Sequence, residues 1–241
     1  MSSTLKVAMI GPQGDALMGT GAVLVWNDVA AEGRRQFYDW HDKEHIPERL
    51  DIPGFRRGRR YISPNHSPEW FTMYEADDLD VVTSPQYLAR LNAPTPATQQ
   101  TLKYFRNTSR AICRVACSMG SSSGGHILTM RLQAAEECSD ALIALAMETI
   151  FPRALRLTGV VACHLYAADQ SASHTDTAES RTRTFDVPSW VLLAEITTVT
   201  ASDEVRRALD GPELAGLCVR IRADAAVYAL EICRLAKHRA G

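Results

Sequence analysis

Apolar and polar residues alternate over 22–29, which predicts a strand with one face buried. The spacing over 32–50 lengthens to the helical period, with Phe37, Trp40, His41 and Glu44 falling on one side. Two further alternating runs, 57–62 and 70–75, predict strands separated by the turn-rich Ser63-Pro64-Asn65-His66-Ser67-Pro68. Helical spacing over 87–91 is broken by Pro94 and Pro96, resumes over 97–105, and gives way to a strand over 109–118. After Ser121-Ser122-Ser123-Gly124-Gly125, a linker by composition, the order repeats. The second set is a strand over 127–132, a helix over 136–157, strands over 161–167 and 190–197, a helix over 203–221 and a strand over 226–235. Residues 170–186, polar and rich in Ser and Thr, predict a loose surface loop.

The repetition extends to residues. Pro47 and Gly54 fall in register with Pro152 and Gly159, 105 positions later, and Trp70 and Glu75 with Trp190 and Glu195, 120 positions later. At the first strand, Gly21-Ala22-Val23-Leu24-Val25 resembles Gly125-His126-Ile127-Leu128-Thr129, which sets Trp26 against Met130. The chain therefore divides into a flexible N-terminal arm (1–19), a first repeat (20–120) that carries the candidate site, a linker (121–125) and a degenerate second repeat (126–241). Each repeat reads β-α-β-β-α-β, the ferredoxin-like unit. Such a unit covers one sheet face with helices and leaves the other bare, and a bare apolar face must be buried. The predicted fold is α+β: two tandem ferredoxin-like repeats closing bare face to bare face as an intramolecular α/β barrel.

The first repeat carries Tyr38-x-Trp40-x-x-x-Glu44-His45-x-Pro47-Glu48-Arg49, then Pro53-Gly54-Phe55, then Arg59-Arg60-Tyr61. In these residues it resembles the dimeric α/β-barrel superfamily, and most closely its EthD-like members. The second repeat matches in layout only. The resemblance implies a fold shared by small monooxygenases, cyclases, isomerases and haem proteins, so it transfers architecture more readily than activity.

The duplication supplies an internal control on the first helix. At an offset of 105, His41 faces Ala146, Glu44 faces Thr149, His45 faces Ile150 and Glu48 faces Arg153. An imidazole or carboxylate buried without partners costs several kcal/mol. The polar face in the first repeat therefore predicts either a cleft or a paired network, such as Glu48 with Arg49, Arg59 or Arg60. His41, His45 and Glu44 are the candidate catalytic residues. Trp40, Glu48, Arg60, Tyr61, Asn27 and Trp26 are candidate contacts to a substrate. A histidine titrates near neutrality and suits general acid–base work, with a glutamate to orient it and an arginine or Tyr61 to stabilise negative charge. His41-x-x-Glu44-His45 also fits the inverted zinc-peptidase spacing, but no third ligand is in view and Pro47 should bend or end the helix. No metal site is expected.

Charge and cysteine narrow the classes. A net charge of −2 argues against a nucleic-acid surface, and the arginines of 56–60 alternate between strand faces rather than forming one patch. The apolar run 7–10 is too short for a signal peptide, and no segment is long enough to span a membrane. The cysteines (113, 117, 138, 163, 218 and 233) form no C-x-x-C pair and mostly lie in apolar stretches, as buried thiols of a reducing, cytoplasmic compartment would. No phosphate loop or dinucleotide fingerprint is present. The expected function is a cofactor-free acid–base enzyme (isomerase, cyclase, lyase or oxygenase) acting on a small organic ligand, as a monomeric pseudo-dimer or a homodimer. A non-catalytic metabolite-binding or structural module and a haem protein with a histidine ligand are the alternatives.

Overall fold

The structure is a computed structural model that describes residues 16–182, 186–217 and 219–237. Residues 1–15 of the expected arm, Cys218 and His238 lie outside them. The strands are β1 (Gly21–Val29), β2 (Phe55–Ile62), β3 (Trp70–Ala76), β4 (Phe105–Gly120), β5 (His126–Gln133), β6 (Val160–Ala168), β7 (Trp190–Ile196) and β8 (Arg220–Leu235). They close into one antiparallel barrel in the order β1-β3-β2-β8-β5-β7-β6-β4. The strands of 20–120 lie in the order β4-β1-β3-β2 and those of 126–241 in the order β8-β5-β7-β6. The seams are β2 against β8 and β4 against β6. Each seam pairs strands from different halves, so neither half closes alone.

Strand alternation sorts the side chains. Ala22, Leu24, Trp26, Tyr61, Phe71, Met73 and their counterparts from every other strand fill the barrel interior. The outer faces pack against helices. In the first half these are α1 (Arg34–Trp40), α2 (Ile46–Leu50), α3 (Leu79–Val82), α4 (Pro85–Asn92) and α5 (Pro96–Leu102). In the second they are α6 (Ser139–Leu145), α7 (Phe151–Ala154), α8 (Gln170–Ser173), α9 (Ser202–Leu209) and α10 (Pro212–Gly216). The single helix expected over 203–221 is interrupted at Gly211-Pro212, and its end from Arg220 joins β8 instead. The end of the helix expected over 97–105 is likewise taken by β4, from Phe105.

The first helix does not stop at Pro47. A π turn, His41–His45, joins α1 to α2, with the Ile46 N–H donating to the His41 carbonyl five residues back. The second half repeats the device: Ala146–Ile150 is a π turn, and the Phe151 N–H donates to Ala146 just before Pro152. A proline has no N–H to give and its ring clashes with the carbonyl four residues back. Widening the preceding turn by one residue lets the helix run on through it.

Gly54 and Gly159 close these helices onto β2 and β6 with φ of 92° and 89°, a conformation that glycine adopts without steric cost. A Cβ on Gly54 would sit 2.4 Å from the Val81 side chain. Gly54→Ala is expected to lower stability by about 1–2 kcal/mol, read from the urea midpoint.

Strand pairing corrects the sequence register at the first strand. Ala22 lies opposite Glu75 and Ile127 opposite Glu195. Trp26 therefore corresponds to Arg131, not Met130; a slip of one residue exchanges the faces of a strand. Arg131 indeed lies in the interior, its guanidinium carbon 5.3 Å from the Trp26 ring. The arginine run is consumed by ion pairs on both faces: Arg56 with Asp77, Arg57 with Glu75, Arg59 with Glu195, and Arg60 with Asp42 and Glu231. Cys113, Cys117 and Cys163 are buried, and burial raises the thiols of Cys117 and Cys163 to about 12. Cys138 is half-buried and Cys233 exposed, contrary to the expectation for these two.

Candidate active site

His41, His45 and Arg49 follow one another at intervals of four residues through the π turn into α2, and all three line one cavity. Its floor is the outer face of the sheet, with Val23, Val25 and Asn27 from β1, Thr72 and Tyr74 from β3 and Arg110 from β4. Trp40, Leu91, Leu102 and Phe105 form an apolar wall. The cavity they enclose is small, about 40 Å³.

The corresponding layer of the second half is filled. By strand register and helix position, Asn27, Thr72 and Tyr74 correspond to Leu132, Leu192 and Ala194, and His41, His45 and Arg49 to Ala146, Ile150 and Ala154. All six counterparts are buried members of one apolar cluster. The same architecture thus packs shut with small and apolar residues where the first half keeps six polar ones.

His41 is buried, 4% exposed, and both ring nitrogens are engaged. Arg60 Nη1 lies 3.0 Å from Nδ1, and Tyr74 Oη 3.3 Å from Nε2. A guanidinium can only donate, so Nδ1 accepts and the proton of the neutral ring is on Nε2, directed at Tyr74. Burial first, then the charges of Arg60 and Arg49, hold the His41 pKa well below its usual value. Burial pushes the Tyr74 phenol well above its ordinary range, so it stays protonated. His45 is half-buried and packs on the Trp40 indole, ring centroids 4.2 Å apart, with His41 at 5.5 Å. Trp40 is itself fixed by its indole N–H donating to Thr98 Oγ1 at 2.9 Å.

Of the residues singled out from sequence, Asn27, Trp40, His41 and His45 meet at this cavity and the others do not. Glu44 turns away and accepts from Thr95 Oγ1. Glu48 meets Arg90 at 3.4 Å rather than Arg49, Arg59 or Arg60; burial above all raises its pKa. The π turn is the cause. One inserted residue rotates the helix so that His45 and Arg49 occupy the face a regular wheel assigns to Glu44 and Glu48. Arg60 stands behind His41, outside the lining, and also meets Glu231 of β8 at 2.8 Å. Trp26 and Tyr61 are inside the barrel, where Trp26 Nε1 donates to Thr129 Oγ1 at 3.1 Å. With Glu44 turned away and His41 engaged at both nitrogens, the zinc-peptidase spacing does not form a ligand set. No cluster of three metal-ligating side chains occurs among the described residues.

Arg49, Thr72, Tyr74, Arg110 and Glu179 were not singled out from sequence. Arg49 was detectable as the next step of the four-residue ladder. Glu179 was not, because it arrives from the segment expected to be a loose loop. That segment packs across the first half. The Glu179 N–H donates to the Leu91 carbonyl at 3.2 Å, the Ala178 N–H to Asn92 Oδ1 at 3.1 Å, and the Ile112 N–H donates to Ser173 Oγ at 2.9 Å.

No family model matches the chain, and no curated protein matches it in sequence. Solved structures do match in fold. An anthrone oxidase-like protein superposes with a TM-score of 0.58 at 10% identity, over 91% of this chain and 94% of its own. Chlorite dismutase from Candidatus Nitrospira defluvii, solved in complex with imidazole, gives 0.55 at 12% identity, over 89% and 92%. These neighbours belong to the dimeric α/β-barrel superfamily, and the chain has their fold. No helix among the described residues is long and apolar enough to cross a membrane.

Proposed function

We propose that the chain is a cofactor-free enzyme that moves a proton on a small organic molecule, and that its halves are tandem ferredoxin-like repeats of EthD-like type, the second without a site. The observation that carries this reading is the exchange of six polar cavity positions for six apolar ones between otherwise matching layers. Packing needs none of those polar groups, so the cost of burying them points to a use. His45 is the general base, the role an imidazole most often fills. His41 is a fixed neutral donor: Arg60 holds its tautomer, and its Nε2–H orients the Tyr74 hydroxyl, whose own proton is left for a substrate oxygen. The apolar wall of Leu91, Leu102 and Phe105 takes the carbon skeleton. The fold shared with an anthrone oxidase-like protein is compatible with a small-molecule enzyme.

Hydrogen–deuterium exchange next to the carbonyl of small cyclic ketones, followed by NMR in D₂O, tests the reading. His45→Gln is expected to slow exchange by roughly 100- to 10,000-fold, the usual contribution of a positioned base. Exchange that is unchanged in this variant defeats the proposal. Saturable ketone binding without exchange identifies a metabolite-binding module instead. A haem protein would announce itself by a Soret band, and none is expected.

A further inference from the structure

We propose that Arg49 is the binding residue for an anionic oxygen of the substrate, which makes the substrate class a small enolisable carbonyl compound bound through its enolate oxygen; this rests on the proton-transfer reading above.

The Arg49 side chain is 3% exposed. Its Nη2 donates to Glu179 Oε1 at 2.6 Å, and its guanidinium carbon lies 5.7 Å from the Tyr87 ring centroid. These contacts fix the plane of the group. They leave Nη1 buried with no hydrogen-bond partner in the protein. A buried donor left unmade is costly, and one on a permanent cation more so. Packing does not demand the charge, since Ala154 fills the corresponding position in the second half and is fully buried. Arg49 also shares its cavity and its helix face with His45, one turn away.

The chemistry balances without a co-reactant. The C–H bond next to the carbonyl breaks, its proton passes to a ring nitrogen of His45, and the electron pair shifts to the carbonyl oxygen. The oxygen, now negative, accepts from Arg49 Nη1. Return of the proton to the same or another carbon gives exchange or isomerisation. A guanidinium fixed in advance favours the oxygen more as charge develops on it, the requirement for accelerating the step.

The test uses 4-nitrophenol, a planar aromatic whose phenolate mimics the enolate and whose ionisation is visible in its absorbance. The wild-type protein is expected to bind it and to lower the pKa of the bound phenol. Arg49→Gln is expected to weaken phenolate binding about 10- to 100-fold, the worth of a hydrogen bond to a charged donor. That variant leaves Glu179 buried without its partner, so the paired variant Arg49→Gln/Glu179→Gln serves where the single one unfolds. Phenolate binding in a folded Arg49 variant that equals the wild type overturns the proposal, as does the absence of binding to the wild type. His45→Gln separates the two readings. If it binds phenolate normally and still exchanges ketone protons, the general-base reading falls while the assignment of Arg49 stands.

Discussion

Arg59→Met is expected to cost about 3–5 kcal/mol of folding stability, the usual result of removing one partner from a buried ion pair. Arg59 lies inside the barrel, with Nη1 2.6 Å from Glu195 Oε1 and Nε 3.4 Å from Glu75 Oε2, and all three side chains are at most 2% exposed. Without the guanidinium, Glu195 keeps only the Gly124 N–H at 3.0 Å, and Glu75 keeps Arg57 and the Met18 N–H at 3.1 Å. Urea denaturation measures the loss. The triple variant Arg59→Met/Glu75→Gln/Glu195→Gln should recover much of it, since the damage comes from the stranded carboxylates rather than the missing cation. A single variant as stable as the wild type would show that water reaches the barrel interior.

Stability is also expected to fall steeply in mild acid. His164 is fully buried in the barrel, bonded to Ser118 Oγ at 2.8 Å. Burial first, then Arg59 and Arg57, lower its pKa to about 3. Above the unfolded value of about 6.5 the ring is neutral in both states and contributes no pH dependence. Below it, the unfolded chain takes up a proton that the folded one refuses. Stability then drops by about 1.4 kcal/mol per pH unit, towards a total of about 5 kcal/mol as pH approaches the folded value. His41 is displaced in the same direction and adds to the slope. Urea midpoints measured from pH 8 to pH 5 give the slope. His164→Gln should make it shallower by about 1.4 kcal/mol per unit below pH 6. An unchanged slope would mean that the ring is protonated in the folded protein.

The same interior shows what sequence could and could not supply. The element order and the two helix-covered layers were legible because hydrophobic period and the Pro-Gly anchors are local features. The polar helix face was legible too, since His41 and Glu44 fall where packing alone would place apolar residues. Its exact membership was not, because a π turn is invisible to a wheel of constant pitch. One residue of extra winding replaces Glu44 and Glu48 with His45 and Arg49 at the cavity. The barrel network was missed for another reason. Arg59, Glu75 and Glu195 read singly as surface charges on alternating strands, and only closure of the sheet turns all three inward. The described end of the N-terminal arm is tied down, with Ala16 buried and its carbonyl accepting from Arg57 at 2.7 Å.

The segment carrying Glu179 brings a residue of 126–241 into the lining of the cavity that holds His41, His45 and Arg49. Exchanging 126–241 for another module of the same fold would restore both barrel seams and still leave Arg49 without its carboxylate. A chimera of that kind should assemble, hold its secondary structure, and lose phenolate recognition. The two halves are therefore not interchangeable cassettes: recombination at the linker separates a cavity from the residue that completes its wall.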